Sequence, residues 1–129
     1  MKKTTYKLNK GTYFIGDPAV VVIKNDDGEA FLQLLWETFY ENPNEFQYLN
    51  IKGSKFYVTR TEGGDGIFND IGTDTGIIMI VNIKELKNHK IFKKELPTLR
   101  TKIITYDHDS FVCVNDFNIY FEGFEIITN

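Results

Sequence analysis

The sequence predicts an α+β fold dominated by antiparallel strands: a sandwich or half-open barrel of short hairpins, with one principal helix at about 27–41 packed on the sheet. Three observations carry this. Only one stretch, Asp26 to Asn42, has a long helical period. Most of the remainder is short β-branched and aromatic runs punctuated by Gly, Asp and Asn. The last third falls into four such runs separated by the polar turns "DHD", "ND" and "EG".

Taken in order, Tyr6 to Ile15 alternates loosely around Gly11 and reads as a short hairpin. Gly16-Asp17-Pro18 is a corner, where glycine permits the bend and proline fixes the backbone after it. Ala19 to Ile23 is continuously apolar, the pattern of a strand buried on both faces. In the helix, Asp26 is the expected N-cap and Glu29 completes a capping box. Phe31, Leu34, Leu35 and Phe39 form one stripe, and Leu32, Trp36 and Tyr40 form a second beside it. Two stripes predict a helix with little exposed surface, Trp36 being core rather than a stacking platform. Asn42-Pro43 ends the helix, because a residue before proline avoids the helical region.

Lys55 to Thr61 alternates as a strand, with Phe56, Val58 and Arg60 on one face and Tyr57 and Thr59 on the other. "EGGDG" (62–66) and "NDIGTD" (69–74) read as turns around the short strand Ile67-Phe68, and Gly76 to Val81 reads as a buried strand. Ile83 to Lys94 fits a surface loop or a short helix. Thr101–Tyr106, Ser110–Val114, Asn118–Phe121 and Phe124–Thr128 are the four closing strands, a meander of hairpins.

With 129 residues, 42% of them apolar and including 11 Phe and 7 Tyr, the chain is a single domain over 1–129 with enough apolar side chains for its own core. A net charge of −3 argues against direct nucleic-acid binding and is too small for a DNA mimic. The single cysteine, Cys113, lies in an apolar run and reads as a small buried hydrophobe. A chain without disulfides, signal-peptide pattern or membrane-length apolar window is expected to be soluble and cytoplasmic.

Four aspartates share a setting: Asp17, Asp65, Asp70 and Asp74 each lie within two residues of a glycine in a turn. Asp in a turn commonly caps its own backbone. Clustered carboxylates also bind Mg²⁺ or Mn²⁺ through oxygen, or accept hydrogen bonds from a ligand with one acting as general base. On this reading Asp65 and Asp70/Asp74 stand at opposite ends of the strand Ile67-Phe68. Arg60, one of two arginines with Arg100, precedes "GGDG" and can pair with Asp65 or meet an anionic ligand. The EF-hand, P-loop and G-x-S-x-G patterns are absent. His89 and His108 lack the spacing of a zinc site, and "DHD" reads as a solvated hairpin turn.

The motifs "KGTYFIGDP", "GGDGIFND", "TDTGIIMIVNIKEL" and "VNDFNIYFEGFEI", in that order, resemble a family of small proteins of bacteria and their phages that has no established activity. The resemblance spans most of the chain outside the helix and residues 83–100, and puts Asp17, Asp65, Asp70 and Asp74 on the family's aspartate positions. The chain departs from the pattern at Ala19-Val20, where Cys-Tyr is expected, at Gly63-Gly64 in place of Tyr-Gly, and at Asn82 in place of proline. Without that cysteine, thiol chemistry at the corner has no basis. The resemblance implies a small accessory protein, phage-borne.

The function expected is therefore binding without a cofactor: inhibition of a host defence protein, or sequestration of a small signalling nucleotide, with Asp17, Asp65, Asp70, Asp74 and Arg60 lining the site. The alternative is a hydrolase, a phosphoesterase dependent on Mg²⁺ or Mn²⁺ held by Asp17, Asp65 and Asp74. No membrane partner is expected, and self-association is left open. A third reading makes the aspartates structural and assigns docking of an acidic partner to the basic segment "IKELKNHKIFKKELPTLR" (83–100).

Overall fold

The computed structural model describes residues 3–42 and 44–129. Three layers stack: helix, five-stranded sheet, four-stranded sheet. The strands are β1 (Lys3–Leu8), β2 (Gly11–Gly16), β3 (Phe46–Ile51), β4 (Ser54–Arg60), β5 (Gly66–Phe68), β6 (Ile71–Thr73), β7 (Ile77–Asn82), β8 (Lys102–Tyr106), β9 (Ser110–Asn115), β10 (Asn118–Phe121) and β11 (Phe124–Ile126). The helices are α1 (Pro18–Val21), α2 (Asp26–Glu41) and α3 (Ile83–Asn88). The central sheet has the order β3-β4-β7-β2-β8, the outer sheet β1-β9-β10-β11, and β5-β6 form a separate hairpin. Among the described residues all the pairings are antiparallel, and no barrel closes.

The central strands serve two cores at once, because successive side chains leave a strand on opposite faces. On β7, Ile77, Met79 and Val81 pack toward α2, while Ile78 and Ile80 pack toward the outer sheet. On β2, Phe14 faces the helix, with Tyr13 and Ile15 facing the other sheet. All five β7 residues from Ile77 to Val81 are buried, as a strand covered on both faces should be.

Helix α2 buries one stripe, Gly28, Phe31, Leu35 and Phe39. Each large side chain fully removed from water there contributes about 1.5–3 kcal/mol. The second stripe is only partly covered: Leu32 and Trp36 are half-buried, and Tyr40 is 54% exposed. The expectation of little exposed surface fails because a single sheet contacts one side of the helix. The N-cap is Asn25, whose Oδ1 accepts the Gly28 N–H at 2.8 Å, so Asp26 is the first helical residue rather than the cap. Gly28 is required here, since a Cβ would lie 1.8 Å from the Ile23 carbonyl oxygen. Asn42 is the C-cap, and Pro43 lies outside the described residues.

Other differences from the sequence reading have identifiable causes. β1 and β2 are consecutive but do not form a hairpin: β1 pairs with β9, and β2 sits between β7 and β8. Residues Pro18–Val21 form the helical turn α1, not a strand, because Asp17 caps it and Pro18 fills its first position. "DHD" (107–109) crosses from the central to the outer sheet instead of turning a hairpin. Of "NDIGTD", only Asn69 and Asp70 form the turn; Ile71–Thr73 are β6. Their φ values of 50° and 68° are those of a two-residue type I′ hairpin.

β3 falls in a stretch given no element from sequence. It closes on β4 through Lys52-Gly53, both at positive φ. Its buried Gln47 donates Nε2–H to the Phe39 carbonyl at 2.9 Å, a second bond beside that from the Asn42 N–H at 3.3 Å, and so ties β3 to the end of α2. Cys113 is buried in the outer sheet. Among the described residues, no helix is long and apolar enough to cross a membrane.

Candidate functional site

The corner after β2 is built around a buried carboxylate. Asp17 is 1% exposed. Its Oδ1 accepts the Ala19 N–H at 2.8 Å, which caps α1, and lies 3.2 Å from the Thr75 hydroxyl. Its Oδ2 accepts the N–H groups of Asp74 at 2.7 Å and Thr75 at 3.2 Å, and lies 3.1 Å from the Thr73 hydroxyl. The Thr73 hydroxyl has one proton to share between Asp17 and the Ile77 carbonyl 2.8 Å away.

A carboxylate offers about four lone-pair directions, and three backbone N–H groups plus two hydroxyls occupy them here. Asp17 thus fastens the "GDP" corner to the "TDTG" loop, residues 56 to 58 positions away in sequence. Thr73 and Thr75, passed over in the sequence, complete that clasp. The visible signal was a threonine on each side of Asp74.

The same clasp positions a shallow cleft of about 320 Å³. Asp65 and Asp74 both line it, because the register Gly66↔Thr73 sets them side by side at the base of the β5–β6 hairpin. They are therefore not at opposite ends of β5: Asp70, at the hairpin tip, is the residue that stands apart, and it does not line the cleft. Gly76, at φ 77°, brings the "GGDG" turn within reach; a Cβ there would be 3.2 Å from Gly64 Cα. Asp65 and Asp74 are exposed, and among the described residues neither forms an ion pair.

The cation in the cleft is Arg100, not Arg60. The Arg100 carbonyl accepts the Gly72 N–H at 2.9 Å, and its side-chain stem covers Gly72. Arg60 is half-buried at the end of β4, makes no ion pair with Asp65 among the described residues, and has its Nε buried without a hydrogen-bond partner. Leu99 and Ile67, 79% and 54% exposed, form an apolar part of the cleft lining. The lining contains no His, Cys, Ser, Tyr or Lys. Among the described residues, no three His, Cys, Asp or Glu side chains are placed to hold a metal ion.

The histidines sit elsewhere. His108, at the crossover between sheets, lies 2.6 Å from both Asp107 Oδ1 and Glu122 Oε2, and these two carboxylates raise its pKa above the ordinary 6.5. Glu122 is in turn held by Ser110, whose hydroxyl donates to Oε1 at 3.2 Å. The serine thus faces the carboxylate, an arrangement unlike that of a base-activated nucleophile. His89 lies 3.5 Å from Glu85 one helical turn away.

Comparison of the chain with protein-family models, with curated proteins and with solved structures finds no match in any of the three.

Proposed function

We propose that the protein is a small accessory protein that acts by binding and performs no chemistry. The observation that supports this is the saturation of Asp17. The one buried carboxylate of the aspartate set is consumed by donors of its own chain, so no lone pair is left for a metal ion or for proton abstraction. The carboxylates that do reach solvent, Asp65 and Asp74, suit hydrogen bonding to an occupant, with Arg100 beside them and Leu99 and Ile67 supplying apolar contact.

On this reading the protein is phage-borne and cytoplasmic. It works by occupying a host defence protein or by sequestering a small nucleotide-type ligand. The experiment is a hydrolysis screen of phosphomonoesters and phosphodiesters with Mg²⁺ and Mn²⁺, run beside mass spectrometry of small molecules retained by the purified chain. Retained ligand without turnover is the expected result. A divalent-dependent turnover that Asp65→Asn abolishes while the fold survives overturns the reading.

A further inference from the structure

We infer that a second cleft, between α3 and the loop that follows it, is a binding site for a small amphipathic anion: a molecule with an apolar body and a phosphate or carboxylate head. This rests on the reading of the protein as a binder and names the ligand chemistry. The cleft measures about 600 Å³, within the range of about 300–1,000 Å³ usual for small-molecule sites. Ile23, Ile83, Leu86, Phe92 and Leu96 give it an apolar wall.

The cleft is held open by the core. The Ile23 N–H donates to the Ile91 carbonyl and the Lys93 N–H to the Val21 carbonyl, both at 2.7 Å, flanking an antiparallel bridge between Val22 and Phe92. Phe92 then packs edge-on against Phe31 of α2 with ring centres 5.4 Å apart. A loop pinned this way is already ordered, so little conformational entropy is lost when a ligand enters.

Charge selects the ligand. Lys87, Lys90, Lys93 and Lys94 line the cleft with no Asp or Glu among them, in a chain whose net charge is −3. Among the described residues none of the four ammonium groups forms an ion pair. The nearby carboxylate of Glu85 is turned to His89. Unpaired ammonium groups beside an apolar wall concentrate positive potential where an anionic head would sit once its body is buried. A bare lysine surface would lack the cavity, and an apolar core defect would lack the charge.

The test is calorimetric titration of the full chain with decanoate and, separately, with adenosine 5′-monophosphate. At least one is expected to bind, one molecule per chain, and the Lys90→Glu/Lys94→Glu variant should weaken it by at least about tenfold, with added salt acting in the same direction. Binding of decanoate alone specifies an aliphatic body, and of the nucleotide alone a planar one. Should the double variant disturb the fold, amide shift perturbation on the parent chain decides: changes centred on residues 83–96 support the site, and changes elsewhere overturn it. Failure of both anions to bind, affinity unaltered by charge reversal, or binding only of an acidic protein segment also overturns it. None of these outcomes bears on the absence of catalysis, which the hydrolysis screen decides separately.

Discussion

Asp17→Asn is the substitution that tests the clasp most directly. The amide keeps the shape of the carboxylate but has one acceptor oxygen instead of two. Its best orientation places oxygen at the Oδ2 position, preserving the acceptor for Asp74 N–H, Thr75 N–H and Thr73. The NH₂ group then points at the Ala19 N–H, two donors face to face, and the α1 cap is lost. Loss of an N-cap costs about 1 kcal/mol, and a buried donor left without an acceptor costs about 1–3 kcal/mol. The three retained bonds also lose their charge assistance.

Both figures describe the one lost Ala19 bond, so the expected destabilisation is about 1–3 kcal/mol, read as a shift of the urea midpoint with unchanged slope. The melting temperature should fall by roughly 3–5 °C for each kcal/mol lost, given the chain's size. Asp17→Ala, which leaves the Asp74 and Thr75 N–H groups without their acceptor as well, should cost more than about 4 kcal/mol. An Asp17→Asn chain within about 0.5 kcal/mol of the parent would refute the structural role assigned to Asp17.

Further outcomes follow from the packing and the titrating groups. Gly28→Ala should abolish folding or cost more than about 3 kcal/mol, since the new methyl has the Ile23 carbonyl at 1.8 Å; circular dichroism reads it. Leu35→Ala, at a fully buried position of α2, should cost about 2–5 kcal/mol, whereas Tyr40→Ala on the exposed side should stay within about 0.5 kcal/mol in urea unfolding. His108 gains its proton more readily folded than unfolded because of Asp107 and Glu122. Its contribution to stability is thus fully present below the unfolded value of 6.5 and disappears as pH rises through the higher folded value; His108→Asn should remove that pH dependence from the melting temperature. Burial raises the Tyr57 hydroxyl to about 12, so an ultraviolet titration should show it ionising after an ordinary tyrosine.

Much of the fold was legible because it is encoded locally. The α2 apolar positions Phe31, Leu34, Leu35 and Phe39 fall at i, i+3, i+4 and i+8, a spacing that a helix gathers on one face and a strand does not. The unbroken run of β7 announced burial on both sides, and "EG" at 122–123 and the first two residues of "NDIGTD" fell on real turns. Strand pairing was legible for the closing hairpins β9–β10–β11 and not beyond them. β1 and β2 alternate as a hairpin would, but which strands they join is set by distant partners, Val112 and Val114 for β1 and Ile80 for β2. A period of two reads the same in either sheet. The four residues of α1 are too few to show a helical period, and their apolar character suited a strand equally well.

The site divides along the same line. Side-chain chemistry and turn grammar pick out Asp17, Asp65, Asp70 and Asp74 from the sequence, and the lysines of 83–94 declare a positive stretch. Convergence depends on the packed chain. The clasp joins residue 17 to residues 73–75, the hairpin register brings Asp65 beside Asp74 while carrying Asp70 to the far tip, and Arg100 reaches the cleft in place of Arg60. Residue types and their periods are local properties. Which oxygen meets which N–H across more than fifty residues depends on loops whose ends are fixed only when β2 and β7 pair in register over a shared core.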